Sequence, residues 1–213
     1  AVKKLSSSDV SFVIPRRNWV TSTVYDYYRH DYGNRITGTT SIQTANSGAT
    51  TLFDATFYAL TTARNVYKCL DNNSNAASTV EPTGTSTSVL TTADGYKWKY
   101  MYTLSATQQA NFLSTDFMAV ETNSTVSSAA VDGAINIVKI KSAGTGGTNG
   151  TFTGIAIRGD GSSGTVSVVV SGGSVTSVTI TNAGTGYTIA YIRNADIVSA
   201  GATGLTGSEM DFL

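Results

Sequence analysis

Residues 94–104 read DGYKWKYMYTL and form the densest aromatic run in the chain. Four aromatic residues stand at alternate positions: Tyr96, Trp98, Tyr100 and Tyr102. Because residues i, i+2 and i+4 of a β-strand share one face, the rings are expected to line a buried side, with Lys97 and Lys99 opposite. Asp94-Gly95 favours a turn before the strand, since Gly reaches positive φ without steric cost. The stretch therefore predicts a hairpin corner followed by a strand with one buried face.

Length and charge limit the classes of function. The 213 residues suffice for one large or two small domains. Net charge is zero and only 13% of residues are charged, which argues against nucleic acid or an anionic membrane as a partner. No apolar run approaches the roughly 18 residues that span a bilayer. We therefore expect neither a nucleic-acid nor a membrane partner.

The chain has one cysteine, Cys69, and one histidine, His30. A single cysteine excludes a disulfide within the chain and a thiolate zinc site. A nucleophilic Cys69 with His30 as its base is one interpretation. The favoured interpretation places Cys69 in a short strand as a small buried residue.

Composition changes sharply near Asn123. Residues 1–123 hold all but four of the aromatic residues but only five of the 21 glycines. We expect a mainly β protein: a β-sandwich-like domain with one short helix over 1–123, and a small Gly-rich all-β module over 131–200. Residues 122–130 are the expected linker. Residues 201–213 are expected to be a tail that continues in the full-length protein.

Local signals place further elements in the first part. Residues 10–14 are expected to form a strand that ends at Pro15, which has no N–H for a ladder. Residues 65–70 are a second strand. Ser105 and Gln108 form an S-x-x-Q capping box before a helix over 106–113, and residues 116–121 read as a closing strand.

The second part contains an internal repeat. Residues 137–148 (IVKIKSAGTGGT) align with residues 177–188 (SVTITNAGTGYT) at an offset of 40. Between the copies, residues 159–164 (GDGSSG) match a dinucleotide-binding pattern, which needs a helix to follow. The next residues are an alternating β-branched run, so a hairpin turn is favoured.

No set of residues indicates catalysis. Residues 71–75 begin like a calcium loop, but Ala76 and Pro82 replace the expected Gly and Glu, so an EF-hand is rejected and only a looser cation site stays open. Nothing selects a pair among the 14 acidic residues. Arg16-Arg17 beside Trp19 favours a loop anchor or an interface. We expect no catalytic residue, metal, cofactor or small-molecule substrate.

Four segments occur in a characteristic order. They are residues 13–19 (VIPRRNW), 66–71 (VYKCLD), 80–82 (VEP) and 94–102 (DGYKWKYMY). In this order they resemble the baseplate wedge subunit of T-even-type contractile-tailed bacteriophages, over roughly residues 10–121. The Gly-rich module instead resembles β modules of other phage tail proteins, and the region before the first segment is short. The chain therefore looks like a piece of a larger subunit from a related phage, such as a cyanophage.

The resemblance implies a non-enzymatic virion protein of the tail baseplate, made in the host cytoplasm. Its implied partners are a second copy, as a homodimer, and other baseplate wedge proteins. The candidate structural or interface residues are Pro15, Arg16, Arg17, Trp19, Tyr96, Trp98, Tyr100 and Tyr102. Two alternatives remain: a receptor-binding tail-fibre or adhesin fragment that binds host surface glycan, and a hydrolase of wall polysaccharide.

Overall fold

The computed structural model describes Lys4 and residues 6–29, 32–33 and 43–213. The fold is mainly β, with 37% strand and 11% helix, which confirms the predicted class. The chain divides into two compact units, Ala1–Ala130 and Val131–Leu213. His30, considered as a base for Cys69, lies outside the described residues.

The first unit contains two antiparallel sheets among its described residues. Its strands are β1 (Val13–Pro15), β2 (Tyr58–Leu60), β3 (Asn65–Asp71), β4 (Leu90–Thr91), β5 (Lys97–Thr103) and β6 (Phe117–Ala119). Its α-helices are α1 (Ala106–Phe112) and α2 (Ser124–Ala129), and a 3-10 turn spans Ser7–Asp9. One sheet has the strand order β2-β3-β5-β4, and β1 pairs with β6 in the other.

The predicted aromatic strand is β5, and all four predicted rings are buried, but they do not share one face. Tyr96 and Trp98 are fully buried, and Tyr100 and Tyr102 are 4% and 5% exposed. A β-bulge interrupts the pairing of β3 with β5, so that Tyr100 lies opposite Tyr67 but Tyr102 lies opposite Val66. The side chain of Tyr102 therefore does not lie on the face shared by the other three rings.

Each side of this bulge contributes to a separate part of the core. The three rings before the bulge pack with a cluster of mainly aromatic side chains: Tyr25, Phe57, Ala59, Tyr67 and Cys69. Tyr102 instead packs with residues from both sheets: Leu60, Val66, Leu104, Met118 and Ala119. The small β1–β6 sheet is thus held to the larger sheet by apolar contacts through β6.

The two helices differ in part from the sequence interpretation. At α1, Ser105 Oγ accepts from Gln108 N at 3.2 Å, as predicted. The return bond of the capping box is absent, because Ser105 N donates to Glu121 Oε1 at 3.3 Å. Helix α2 lies within the expected linker, where Asn123 Oδ1 caps Val126 N at 3.0 Å. The first unit therefore has two short helices instead of one.

The second unit is described throughout. Its elements are β7 (Val138–Thr145), β8 (Gly150–Ala156), β9 (Arg158–Gly159), β10 (Thr165–Ser171), β11 (Ser174–Asn182), β12 (Ala190–Tyr191), α3 (Asn194–Ser199) and β13 (Thr206–Phe212). The sheets are β11-β10-β8, β12-β9 and β13-β7, all antiparallel. Helix α3 buries Ile197 against this core, so the module is not purely β.

Residues 201–213 are not a tail. Strand β13 pairs with β7 from Thr206 to Phe212, and Met210 and Phe212 are buried. Leu213 also donates to Ile137 O at 3.0 Å. The last strand is therefore part of the core of the second unit, because it pairs with β7 and places Met210 and Phe212 in the apolar cluster.

The two copies of the internal repeat share the same backbone conformation at an equivalent glycine. Gly144 and Gly184, equivalent in the two copies, have φ of +65° and +63°. A Cβ atom at Gly144 would lie 2.6 Å from Thr206 O, and one at Gly184 would lie 2.6 Å from Ser162 O. Both positions need glycine for two reasons, a left-handed backbone and a close backbone neighbour.

Candidate assembly surface

Arg16 anchors the loop that precedes β6. Its backbone N donates to Asp116 O at 2.7 Å, and its Nη1 donates to Ser114 O at 2.7 Å. Its Nε donates to Asn18 Oδ1 at 2.9 Å. Pro15, just before it, is the last residue of β1 and lies opposite Phe117. Pro15 and Arg16 therefore fix where β1 meets β6.

Arg17 and Trp19 attach the same segment to β2. Leu60 N donates to Arg17 O at 2.7 Å, and Trp19 N donates to Leu60 O at 2.8 Å. The Arg17 side chain is exposed, whereas Trp19 is half-buried and its Nε1 donates to Ser78 Oγ at 3.2 Å. Trp19 thus joins the first segment to the loop around residue 78.

The Asp94 carboxylate accepts hydrogen bonds from the same loop around residue 78. Its Oδ2 accepts from Ser78 Oγ at 3.1 Å, from Thr79 N at 2.7 Å and from Val80 N at 3.0 Å. Burial alone raises the pKa of Asp94, but the hydrogen bonds, with Thr92 foremost, outweigh it and lower the pKa to about 2. Residues 13–19, 80–82 and 94–102 therefore meet in one hydrogen-bonded region.

The four aromatic candidates on and before β5 are core residues and not a contact surface. Tyr96 OH donates to Ala76 O at 2.5 Å, and Tyr102 OH donates to Ala119 O at 2.9 Å. Burial raises the pKa of Tyr96 to about 12. Trp98 Nε1 is buried and has no hydrogen-bond partner among the described residues. Rings that are at most 5% exposed cannot contact another chain without unfolding.

Five exposed apolar side chains lie on or near β1 and β6. The fractional exposures are 88% for Phe12, 44% for Val13, 74% for Phe53, 45% for Phe117 and 40% for Val120. Val120 N donates to Phe12 O at 2.8 Å, so these two residues are direct neighbours. We call these five residues the β1–β6 surface.

Two grooves border the β1–β6 surface, and both are lined by Ile14 and Tyr58. The larger has a volume of about 350 Å³ and is also lined by Met101, Val120 and Val126. The smaller has a volume of about 80 Å³. Its further lining residues include Pro15, Arg17, Leu52 and Phe53. Phe53 therefore borders the smaller groove and Val120 the larger one, whose lining also includes polar residues such as Glu121 and Asn123.

The sequence analysis missed this surface, although a signal existed. Val13-Ile14 and Phe117-Met118 are adjacent apolar pairs within strands. Successive side chains of a strand point to opposite faces, so only one member of each pair can reach a single core. Ile14 and Met118 pack inward, which leaves Val13 and Phe117 exposed.

The side chains considered from the sequence as a cation site form hydrogen bonds within the protein. In the calcium-like loop, Asp71 Oδ1 accepts from Asn73 N at 3.1 Å and Asn75 Oδ1 accepts from Asn72 Nδ2 at 2.8 Å. Among the residues that the structure describes, no three His, Cys, Asp or Glu side chains cluster as metal ligands do. Cys69 is fully buried.

The GDGSSG segment connects the antiparallel strands β8 and β10, as the predicted hairpin turn would, but its Gly159 belongs to β9 and its Ser162 forms an isolated bridge with Thr185. It is followed by strand β10 and not by a helix. Asp160 accepts from Thr188 N and Ile189 N, each at 2.9 Å, and from the Thr188 hydroxyl. These bonds, that of Thr188 first, hold the pKa of Asp160 well below its usual range. Through Asp160, the segment is held to residues 188–189 of the same unit.

No helix within the described part of the chain has the length and apolar character needed to cross a bilayer. Comparison of the chain with protein-family models, with curated proteins and with solved structures gave no match.

Proposed function

We propose that this chain is a structural subunit of a phage tail baseplate, of the wedge type, which assembles by protein–protein contacts and catalyses no reaction. The observation that carries the proposal is the β1–β6 surface. Its residue Val13 belongs to the first segment of the family resemblance, and Phe117 lies opposite Pro15 of the same segment. An exposed apolar surface next to a rigidly anchored strand is suited to assembly.

The size of the surface supports a specific contact. A phenylalanine buries about 150–250 Å² when covered, so Phe12, Phe53 and Phe117 at their observed exposures offer on the order of 400 Å². The largest apolar patch of a typical monomer is about 300–600 Å² and is often functional. A stable interface needs about 800 Å² per partner. The three rings together expose about half of that area, with Phe12 and Phe117 on opposite faces of the β1–β6 pair.

The structural coupling of the resembling segments gives further support. Residues 13–19, 80–82 and 94–102 are joined through Ser78 and Asp94. Strand β3, which holds residues 66–71, pairs with β5. The four resembling segments thus lie in one region of the first unit.

The proposed partners are a second copy, in a homodimer, and other baseplate wedge proteins. In a two-fold dimer each copy presents the same residues, so the exposed phenylalanines and the neighbouring grooves of the two copies can be used reciprocally. No cofactor, nucleic acid, membrane or small-molecule substrate takes part. The protein is made in the host cytoplasm and resides in the virion.

Molar mass by light scattering, measured over a range of concentrations, tests the dimer. We expect a dimer for the full chain and a monomer for Phe117→Asp, because an unpaired charge cannot be buried in an apolar contact. Val131→Asp is the control, since Val131 is 58% exposed but lies outside the β1–β6 surface. A trimer, or a dimer that Phe117→Asp leaves intact, contradicts the proposal.

Immunogold labelling of tailed particles tests the baseplate assignment separately. Antibodies raised against the chain are expected to label the baseplate end of contractile tails. Labelling confined to fibres or capsids excludes the wedge assignment.

A further inference from the structure

The two grooves of the first unit share one wall. Ile14 of β1 and Tyr58 of β2 line both the groove of about 80 Å³ and the groove of about 350 Å³. Both residues are half-buried, and the Tyr58 hydroxyl forms no hydrogen bond with any residue in the described part of the chain. These two side chains, which we call the Ile14–Tyr58 wall, therefore separate two recesses of one surface.

The smaller groove carries a positive charge without an internal partner. Arg17 lines it together with Phe53, and the Arg17 side chain is exposed. Unlike Arg16, Arg17 forms no side-chain hydrogen bond or ion pair with the residues that the structure describes. Asp54, the acidic residue next to Phe53 in the sequence, accepts instead from Thr51 Oγ1 at 2.7 Å. The N–H groups of the Arg17 guanidinium are therefore available to a carboxylate of another chain.

The larger groove carries a negative charge without a cation. Glu121 lines it and is half-buried, and its Oε1 accepts from Ser105 N at 3.3 Å and from Ser105 Oγ at 2.8 Å. Its Oε2 has no partner among the described residues. Lys68 of β3 and Lys99 of β5 form no ion pair with Glu121 in the described part of the chain. Lys68 Nζ instead lies over the Tyr28 ring, 4.3 Å from its centroid. Covering the Glu121 carboxylate is therefore unfavourable unless the partner brings a cation.

We infer that Arg17 of one copy pairs with Glu121 of a second copy, twice, across a two-fold axis that runs along the Ile14–Tyr58 wall. This inference rests on the proposed homodimer and specifies which residues meet in it. A two-fold axis exchanges the two sides of the wall, so the Arg17 groove of one copy faces the Glu121 groove of the other. Each ion pair then covers a charge that has no partner within the described part of its own chain.

The apolar lining of the grooves is consistent with the same axis. Phe53 lines the Arg17 groove and Val120 lines the Glu121 groove, and both belong to the β1–β6 surface. The axis that pairs the charges therefore also brings Phe53 of one copy to the side where Val120 of the other lies. A second copy supplies both charges and both apolar residues by symmetry, whereas an unrelated partner would need its own complementary set.

Two charge-reversal variants of the full chain, measured singly and mixed by light scattering, test the pairing. Arg17→Glu brings carboxylates face to face and Glu121→Arg brings guanidiniums face to face, so each variant alone should dimerise at least about tenfold more weakly than the unmodified chain. In an equimolar mixture, both contacts between the two different variants again join opposite charges. The mixture should therefore form a dimer with an affinity within about threefold of the original. Asp132→Arg, a reversal at an exposed residue of the second unit, is the control and should leave the dimer unchanged.

A double-mutant cycle with smaller changes is the second measurement, because Glu121→Arg also removes the acceptor of Ser105 and decides nothing if that variant does not fold. Glu121→Gln keeps an oxygen for Ser105, and Arg17→Ala removes a side chain that forms no hydrogen bond within the described part of the chain. If the two residues pair, the double variant should dimerise about as well as either single variant, since one lost partner already breaks the contact.

The outcomes separate this inference from the proposed function. The inference is overturned if Arg17→Glu leaves dimerisation unchanged, if the two folded reversal variants dimerise no better mixed than alone, or if the two effects in the cycle add. A dimer that Phe117→Asp disrupts but that gives any of these results keeps the proposed homodimer and rejects the Arg17–Glu121 pairing. An unmodified chain that stays monomeric at every concentration overturns both.

Discussion

Ser78 and Asp94 are joined by a hydrogen bond of 3.1 Å between Oγ and Oδ2, although 16 positions separate them in the sequence. Ser78 in turn accepts from Trp19 Nε1. The same carboxylate accepts from Thr92 Oγ1 at 2.5 Å and from three backbone amides, those of Thr79, Val80 and Tyr96. Asp94 thus holds three segments together, and it does so fully only when it is ionised.

We predict that Asp94 makes the first unit sensitive to acid. Its pKa of about 2 in the folded chain lies below its ordinary value of 3.8. A lowered folded-state pKa stabilises the fold above about pH 4, and this contribution is lost as pH falls from about 4 to 2. Asp94→Asn should lower the free energy of unfolding by about 1–2 kcal/mol at pH 7, and by much less near pH 2.

Urea unfolding followed by tryptophan fluorescence measures this effect, because Trp19 and Trp98 both lie in the first unit. Asp132→Asn, a change at an exposed residue of the second unit, is the control. An equal loss of stability for Asp94→Asn at pH 7 and near pH 2 contradicts the ionic role of Asp94.

We predict that Trp98→Ala removes about 3–5 kcal/mol of stability, because the ring is fully buried. Trp98→Phe should cost much less, since Phe keeps most ring contacts and removes a buried N–H that has no partner among the described residues. Thermal unfolding by circular dichroism compares the two variants.

The matched control is Trp19→Phe. It removes an N–H that does form a hydrogen bond, to Ser78, so it should cost about 0.5–1.5 kcal/mol from that bond alone. If Trp98→Phe is as destabilising as Trp98→Ala, Trp98 Nε1 has a role that the structure does not account for.

Local sequence patterns correctly predicted those elements that depend only on residues close together in the sequence. The alternation of Tyr96, Trp98 and Tyr100 identified β5 and its buried face, and Ser105 identified the start of α1. The same alternation misplaced Tyr102, because the bulge opposite β3 depends on the pairing of two strands and not on the β5 sequence. Exposure of Phe12 was likewise not predictable, since an apolar residue in a sequence does not reveal whether anything covers it.

We predict that the loop after β3 can be stabilised at Ser74. Asn73, Ser74 and Asn75 have φ of +49°, +58° and +65°, and each non-glycine residue there costs about 1–2 kcal/mol. Ser74→Gly should therefore raise the free energy of unfolding by about 0.5–1 kcal/mol, after the greater freedom of glycine in the unfolded chain is subtracted. Ser74→Val should lower it, because a branched Cβ tolerates positive φ poorly.

Urea midpoints of the two Ser74 variants provide the measurement. Ser88→Gly is the control, because Ser88 is also exposed but has no positive φ. It should be neutral or destabilising. A gain at Ser88 equal to that at Ser74 shows that backbone strain is not the cause.

We predict that removing residues 201–213 unfolds the second unit and leaves the first intact. β13 pairs with β7 along its length, and Leu205, Met210 and Phe212 are buried in the core. The alternation of residues 208–212 was visible in the sequence, but the paired residues of β7 lie 65 to 74 positions away, from Ser208 opposite Ala143 to Phe212 opposite Val138, and no local pattern identifies them. Tryptophan fluorescence should report an unchanged transition, whereas NMR dispersion of residues 131–200 should collapse.

Point variants separate loss of the strand from loss of chain length. Met210→Asn places a polar group in the core and should lower stability of the second unit by about 2–3 kcal/mol. Glu209→Gln, at the neighbouring exposed position, should change it by less than about 0.5 kcal/mol, because its ion pair with Lys141 lies at the surface. If the chain ending at residue 200 keeps the NMR dispersion of residues 131–200, β13 is dispensable and the core of the second unit is complete without it.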